Sequence, residues 1–86
     1  MIEDNIIEIG QITHFFSKIN VAVLDLTLPL TVGDCILVKG PSTDFEQTVE
    51  SIQIDRKDIH QAEGNQSIGL KMAQPVKVKD VVYKKL

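Results

Sequence analysis

Disulfides are excluded at once, because the 86-residue chain carries a single cysteine, Cys35. Small secreted domains are usually held by several bridges, so a reducing, cytoplasmic compartment is the expectation. Tryptophan is absent, and prolines number only three. Such a composition does not belong to a disordered or low-complexity segment. Long apolar runs are missing too: no stretch approaches the roughly 18 uninterrupted apolar residues of a membrane helix. The opening "MIEDNIIEIG" holds acids where a signal peptide holds bases, and Glu8 interrupts its apolar run. No membrane partner is expected. An excess of basic charge is also lacking. The net charge of −3 argues against a dedicated nucleic-acid binder, whose affinity comes largely from neutralised phosphates. Basic residues collect only at the end, where Lys71, Lys77, Lys79, Lys84 and Lys85 face the lone acid Asp80. Lysines alternating with Val76, Val78 and Val81 read as the wet side of edge strands.

What is present is alternation. "VAVLDLTL" places Ala22, Leu24, Leu26 and Leu28 on one face, and "SIGLKM" does the same with Ile68, Leu70 and Met72. "CILVK" points Ile36 and Val38 inward. In "QTVESIQID", Ile52 and Ile54 share a parity that Val49 does not, so either both faces are partly covered or a bulge near Glu50-Ser51 resets the phase. The segment from Ile7 to Phe16 has mixed parity, with Gly10 a natural bend point. There His14 shares the parity of Ile12 and Phe16 and is expected to sit partly buried. The closing strands are "PVKV" and "VVYKKL". Only "RKDIHQAEG" offers a short helical stretch, ended by Gly64. Turns fall at Lys18–Asn20, Pro29–Asp34, Gly40–Asp44, Gly64–Gln66 and Lys79-Asp80. Six or seven short strands in one domain over residues 1–86, with residues 1–5 a flexible N-terminus, predict an all-β fold. A small closed antiparallel barrel removes exposed edges, and Gly10, Gly33 and Gly69 suit its corners.

Catalytic patterns are not found. There is no G-x-x-x-x-G-K-[ST] and no G-x-G-x-x-G, and Pro41 removes a backbone donor from "VKGPSTD". No bound nucleotide and no cofactor are expected. Cys35, His14 and His60 are scattered without metal-ligand spacing, and "DRKD" is not a calcium loop. As a nucleophile Cys35 is poorly placed, since the neighbouring Asp34 raises rather than lowers a thiol pKa. Asp44 and Glu46 read as solvated charges. A non-enzymatic binding module is the expectation.

The order of features resembles the second, β-barrel domain of translational GTPases such as elongation factor Tu. The likeness rests on Val32-Gly33-Asp34 followed by the apolar Cys35 to Lys39 and Gly40. It rests also on the basic Arg56-Lys57, on Ala62, and on a turn with Gly64 and Asn65 before Ile68-Gly69-Leu70. "VKVKDVVYK" matches the closing segment, so the likeness spans about residues 8–85. It implies a Greek-key barrel in which Gly33 and Gly69 allow tight turning or close strand approach and Asp34 accepts hydrogen bonds from turn amides. It also implies a surface for tRNA or rRNA at the end of "IQIDRK". There Arg56 contacts a phosphate beside Lys57, and Gln53 stands where tRNA carriers can have an acid holding the terminal ribose. No GTPase domain precedes the barrel, so a stand-alone module binding RNA or a translation-related protein is implied. Two other readings stand beside it. Similar barrels are appended to some collagenase-like U32 peptidases, which suggests an accessory domain serving a separate enzyme. The other is a general protein–protein interaction barrel.

Overall fold

Alternate burial runs through almost the whole of the computed structural model, which describes residues 5–86. The flexible segment expected at residues 1–5 falls, for residues 1–4, outside the described residues. Ten strands form: β1 Ile6–Phe16, β2 Val21–Leu26, β3 Leu30–Thr31, β4 Cys35–Gly40, β5 Thr43–Thr48, β6 Ile52–Ile54, β7 Lys57–Ile59, β8 Gln61–Ala62, β9 Ser67–Lys71 and β10 Val81–Lys85. No helix forms among the described residues, and none is long and apolar enough to cross a membrane. Eight strands make one antiparallel sheet in the order β5-β4-β10-β1-β2-β9-β6-β7, and β3 pairs with β8.

The alternating strands bury the faces that their sequences assign. Ala22, Leu24 and Leu26 are inside, as are Ile36 and Val38, and Ile68, Leu70 and Met72. Leu28 packs against this cluster from its edge. Burying each such aliphatic side chain contributes about 1.5–3 kcal/mol, the main force curling the sheet around one core.

β1 resolves its mixed parity with two bulges. Its register against β10 shifts between Glu8 and Gly10, and against β2 between Ile12 and His14. Each extra residue advances the inward face by one. The core-facing residues are therefore Ile9, Ile12 and Phe15, three apart rather than two. The expected partial burial of His14 is overturned by this second bulge. His14 and Phe16 are both exposed, with rings stacked at 6.4 Å and 8°.

Other expectations fail for local reasons. No bulge resets the phase near Glu50-Ser51; the chain leaves β5 there and starts β6, and Val49 and Ile52 are both buried. "RKDIHQAEG" is not helical but forms β7 and β8. "PVKV" is not a strand: Val76 alone plugs into the core, and Val78 is exposed. Backbone needs are met there by Asp80, 1% exposed, whose Oδ2 accepts from the Lys77 N–H at 2.9 Å while its own N–H donates to the Lys77 carbonyl at 3.1 Å. The strand count is ten rather than six or seven because β3, β7 and β8 form in segments read as turn or helix and one predicted run divides into β5 and β6, while "PVKV" drops out.

The edge strands β5 and β7 share no ladder among the described residues, so the expected closed ring is not seen as continuous strand pairing. Other contacts bridge the gap. The Gln47 side chain spans from β5 to the end of β9, donating from Nε2 to the Lys71 carbonyl at 2.9 Å and accepting at Oε1 from the Ala73 N–H at 2.7 Å. Val32 N–H donates to the His60 carbonyl, Gly33 N–H to the Val49 carbonyl, and Val49 N–H to the Asp34 carbonyl. The β3–β8 ribbon thus ties the β7 side to the end of β5.

Candidate functional site

Gln53, Arg56 and Lys57, the residues with an implied RNA role, lie on the β6–β7 hairpin. Ile54 pairs with Lys57, so Asp55 and Arg56 are its two-residue turn, with φ of 53° and 66°. Positive φ at both positions matches a type I′ turn, whose twist suits a hairpin. Arg56 and Lys57 are exposed, and Asp55 and Asp58 flank them, so no local excess of positive charge develops. Gln53 is opposite Asp58 and donates from Nε2 to its Oδ1 at 2.9 Å. The amide is therefore engaged within the hairpin.

Gly33 and Asp34 sit in the turn between β3 and β4. Gly33 has φ +100°, a backbone that side-chain-bearing residues avoid. Asp34 Oδ2 accepts from the Thr31 N–H at 2.9 Å and lies 3.8 Å from Lys84 Nζ. Gly69 is within β9, where a β-carbon would meet Val21 Cγ1 at 3.5 Å, an ordinary contact. It is neither a corner nor a point of close backbone approach. Asn65 adopts the left-handed conformation that its turn requires, with φ 68°.

A different set of side chains converges on the outer face of β4, β5 and β10. The register places Leu37 between Glu46 and Tyr83, and Ile6 beside Lys85. Glu46 Oε2 accepts from Lys85 Nζ at 2.9 Å and from the Cys35 Sγ at 3.3 Å. Burial, then the Glu46 hydrogen bond and its negative charge, push the Cys35 thiol up from its ordinary pKa. The acid acting on Cys35 is Glu46, across the strand pair, rather than the adjacent Asp34. The hydrogen bond from Lys85 holds the Glu46 carboxyl below the usual carboxylate range, and that contact raises Lys85.

Beside this trio lies an open groove of about 510 Å³, lined by Asn5, Ile6, Leu37, Lys39, Glu46, Lys85 and Leu86. Leu37 and Ile6 are half-buried at its floor, and Leu86 is exposed at its rim. The first and last described residues meet here, since the Leu86 N–H donates to the Asn5 carbonyl at 2.8 Å. Here the thiol pKa is raised and the Glu46 carboxylate is already hydrogen-bonded to Lys85 and Cys35. No group of three His, Cys, Asp or Glu side chains is placed to hold a metal ion among the described residues. The groove was legible only as an anomaly, in that "CILVK" with Ile36 and Val38 inward leaves Leu37 facing out.

No known family profile matches the chain. An uncharacterized protease of Methanocaldococcus jannaschii is 38% identical over 78 residues, which cover 90% of this chain and 19% of that protein. The chain thus spans about a fifth of the relative it matches. Among solved structures, the C-terminal domain of a candidate U32 peptidase from Geobacillus thermoleovorans superposes with a TM-score of 0.85 at 18% identity, over 91% of each chain. The selenomethionine variant of that domain gives 0.84 at 19% identity, over 88% of this chain and 96% of that one. These findings correct the resemblance to elongation-factor barrels: the chain is similar to a U32 peptidase C-terminal domain, not to a translation-factor domain 2. Val32-Gly33-Asp34 and Ile68-Gly69-Leu70 are turn and strand elements of the fold, and a shared fold does not carry a shared activity. The implied RNA contacts of Gln53, Arg56 and Lys57 lose the resemblance on which they stood.

Proposed function

We propose that the chain is a non-catalytic accessory module that binds and assists a U32-type peptidase. One observation carries this reading: 90% of the chain matches a 19% portion of a much larger protease, and its fold is that of a U32 peptidase C-terminal domain. The chemistry of its side chains agrees. The only thiol is held protonated by burial and Glu46, and a protonated thiol is a poor nucleophile. The single cysteine suits work in the cytoplasm. We read the fold as a Greek-key barrel whose ring is completed by the β3–β8 ribbon and Gln47.

The test uses the full chain and the M. jannaschii relative with its matching segment deleted, its folding checked by circular dichroism. Calorimetry is expected to show a one-to-one complex, and the chain alone is expected to cleave no peptide. Absence of binding, or peptide cleavage by the chain alone, would overturn the reading.

A further inference from the structure

We infer that the groove between Ile6, Leu37 and Lys85 is the face on which the peptidase body docks. This rests on the accessory reading and assigns it a surface. The argument comes from where the chain ends lie. In the M. jannaschii relative, most of the protein lies outside the matched segment. The rest of such a chain has to join the domain at one end of the segment. The first described residue, Asn5, and the last, Leu86, are both at this groove: they are hydrogen-bonded to each other and line it. Whichever end carries the larger body, the connection leaves from the rim of the same concavity. A body tethered there meets this face at high effective concentration, and in a separate partner the same contact is retained without the tether.

The groove has the make-up of a contact centre. Leu37 and Ile6 form a half-buried apolar floor, and Leu86, 77% exposed, adds an uncovered apolar side chain at the edge. Lys39, Glu46 and Lys85 rim it with both signs of charge. An apolar centre inside a polar rim is the anatomy of a protein–protein interface. Glu46 is fixed by Lys85 and Cys35, so part of the rim is ordered before a partner arrives. The occupant that fits is a folded protein surface bearing an apolar side chain, supplied by the peptidase body.

Cys35 makes the test direct. It is the only cysteine of the chain and is half-buried on this face, bonded to the rim residue Glu46. The chain is mixed with the M. jannaschii relative lacking its matching segment, and alkylation of Cys35 by N-ethylmaleimide is followed by intact mass. Docking is expected to slow alkylation several-fold. Leu37→Asp and Lys85→Glu are expected to alkylate in the mixture at the same rate as each variant does alone, and to weaken binding by roughly tenfold or more, as for residues at an interface centre. Phe16→Ser, at the opposite end of β1, is expected to change neither. Circular dichroism confirms that the variants fold. If the wild-type chain binds while Cys35 reacts at its free rate, or both groove variants bind as tightly as wild type, the groove assignment falls and the accessory reading stands. If alkylation slows with the concentration of the chain alone, the occupant is a second copy and the assignment falls too. If the wild-type chain does not bind, the accessory reading itself fails and takes the groove with it.

Discussion

Gly40 has no room for a β-carbon, because the buried carboxylate of Asp80 occupies that space. Gly40→Ala has to displace a side chain that satisfies the turn at residues 77–80, so it is expected to cost about 2–3 kcal/mol, read from the urea midpoint. Gly69→Ala, where a β-carbon makes only ordinary contacts, is expected to stay within about 1 kcal/mol of wild type. Cys35 gives a prediction in pH. Its pKa is raised, first by burial and then by Glu46, so the fold favours the thiol over the thiolate. The stabilisation is complete below the ordinary thiol pKa and is lost as pH rises through the higher folded-state value. The midpoint of its alkylation rate against pH is expected above the usual thiol value of about 8.5, and Glu46→Gln is expected to bring it down.

Between residue and molecule, hairpins and seams decide what the alternation alone could not. At the β6–β7 turn, Arg56 holds φ 66°, where glycine is strongly favoured. Arg56→Gly is expected to stabilise the chain by about 0.5–1 kcal/mol in thermal unfolding and to leave binding of the peptidase body unchanged. At the seam, Gln47→Glu keeps the acceptor for the Ala73 N–H but sets a carboxylate oxygen against the Lys71 carbonyl. It is expected to lose about 1–3 kcal/mol despite its near-identical shape, as urea unfolding would report. Strands with clean period two were readable: Ala22, Leu24 and Leu26 needed no further information. β1 was not, because two bulges turned its inward set to Ile9, Ile12 and Phe15, and bulge positions depend on the partner ladders. "RKDIHQAEG" misled because Asp55-Arg56 makes its turn without glycine. The groove was least legible, since Ile6, Leu37, Glu46 and Lys85 come from four strands and meet only through the register.

At the level of the molecule, the sheet order puts the last strand in the middle. β10 lies between β4 and β1, and its Val82 is fully buried. A chain ending at Lys79 is expected to lose its cooperative unfolding transition, monitored by circular dichroism, because β1 and β4 would both be left as open edges. The same placement has a consequence for synthesis on the ribosome. While residues 81–85 are still inside the exit tunnel, the strands that have already emerged cannot close on β10, which lies between β4 and β1. Folding therefore waits until residues 81–85 have left the tunnel, and until then the emerged strands are open to chaperones. In a protein that carries this domain last, everything upstream has time to fold before the domain completes.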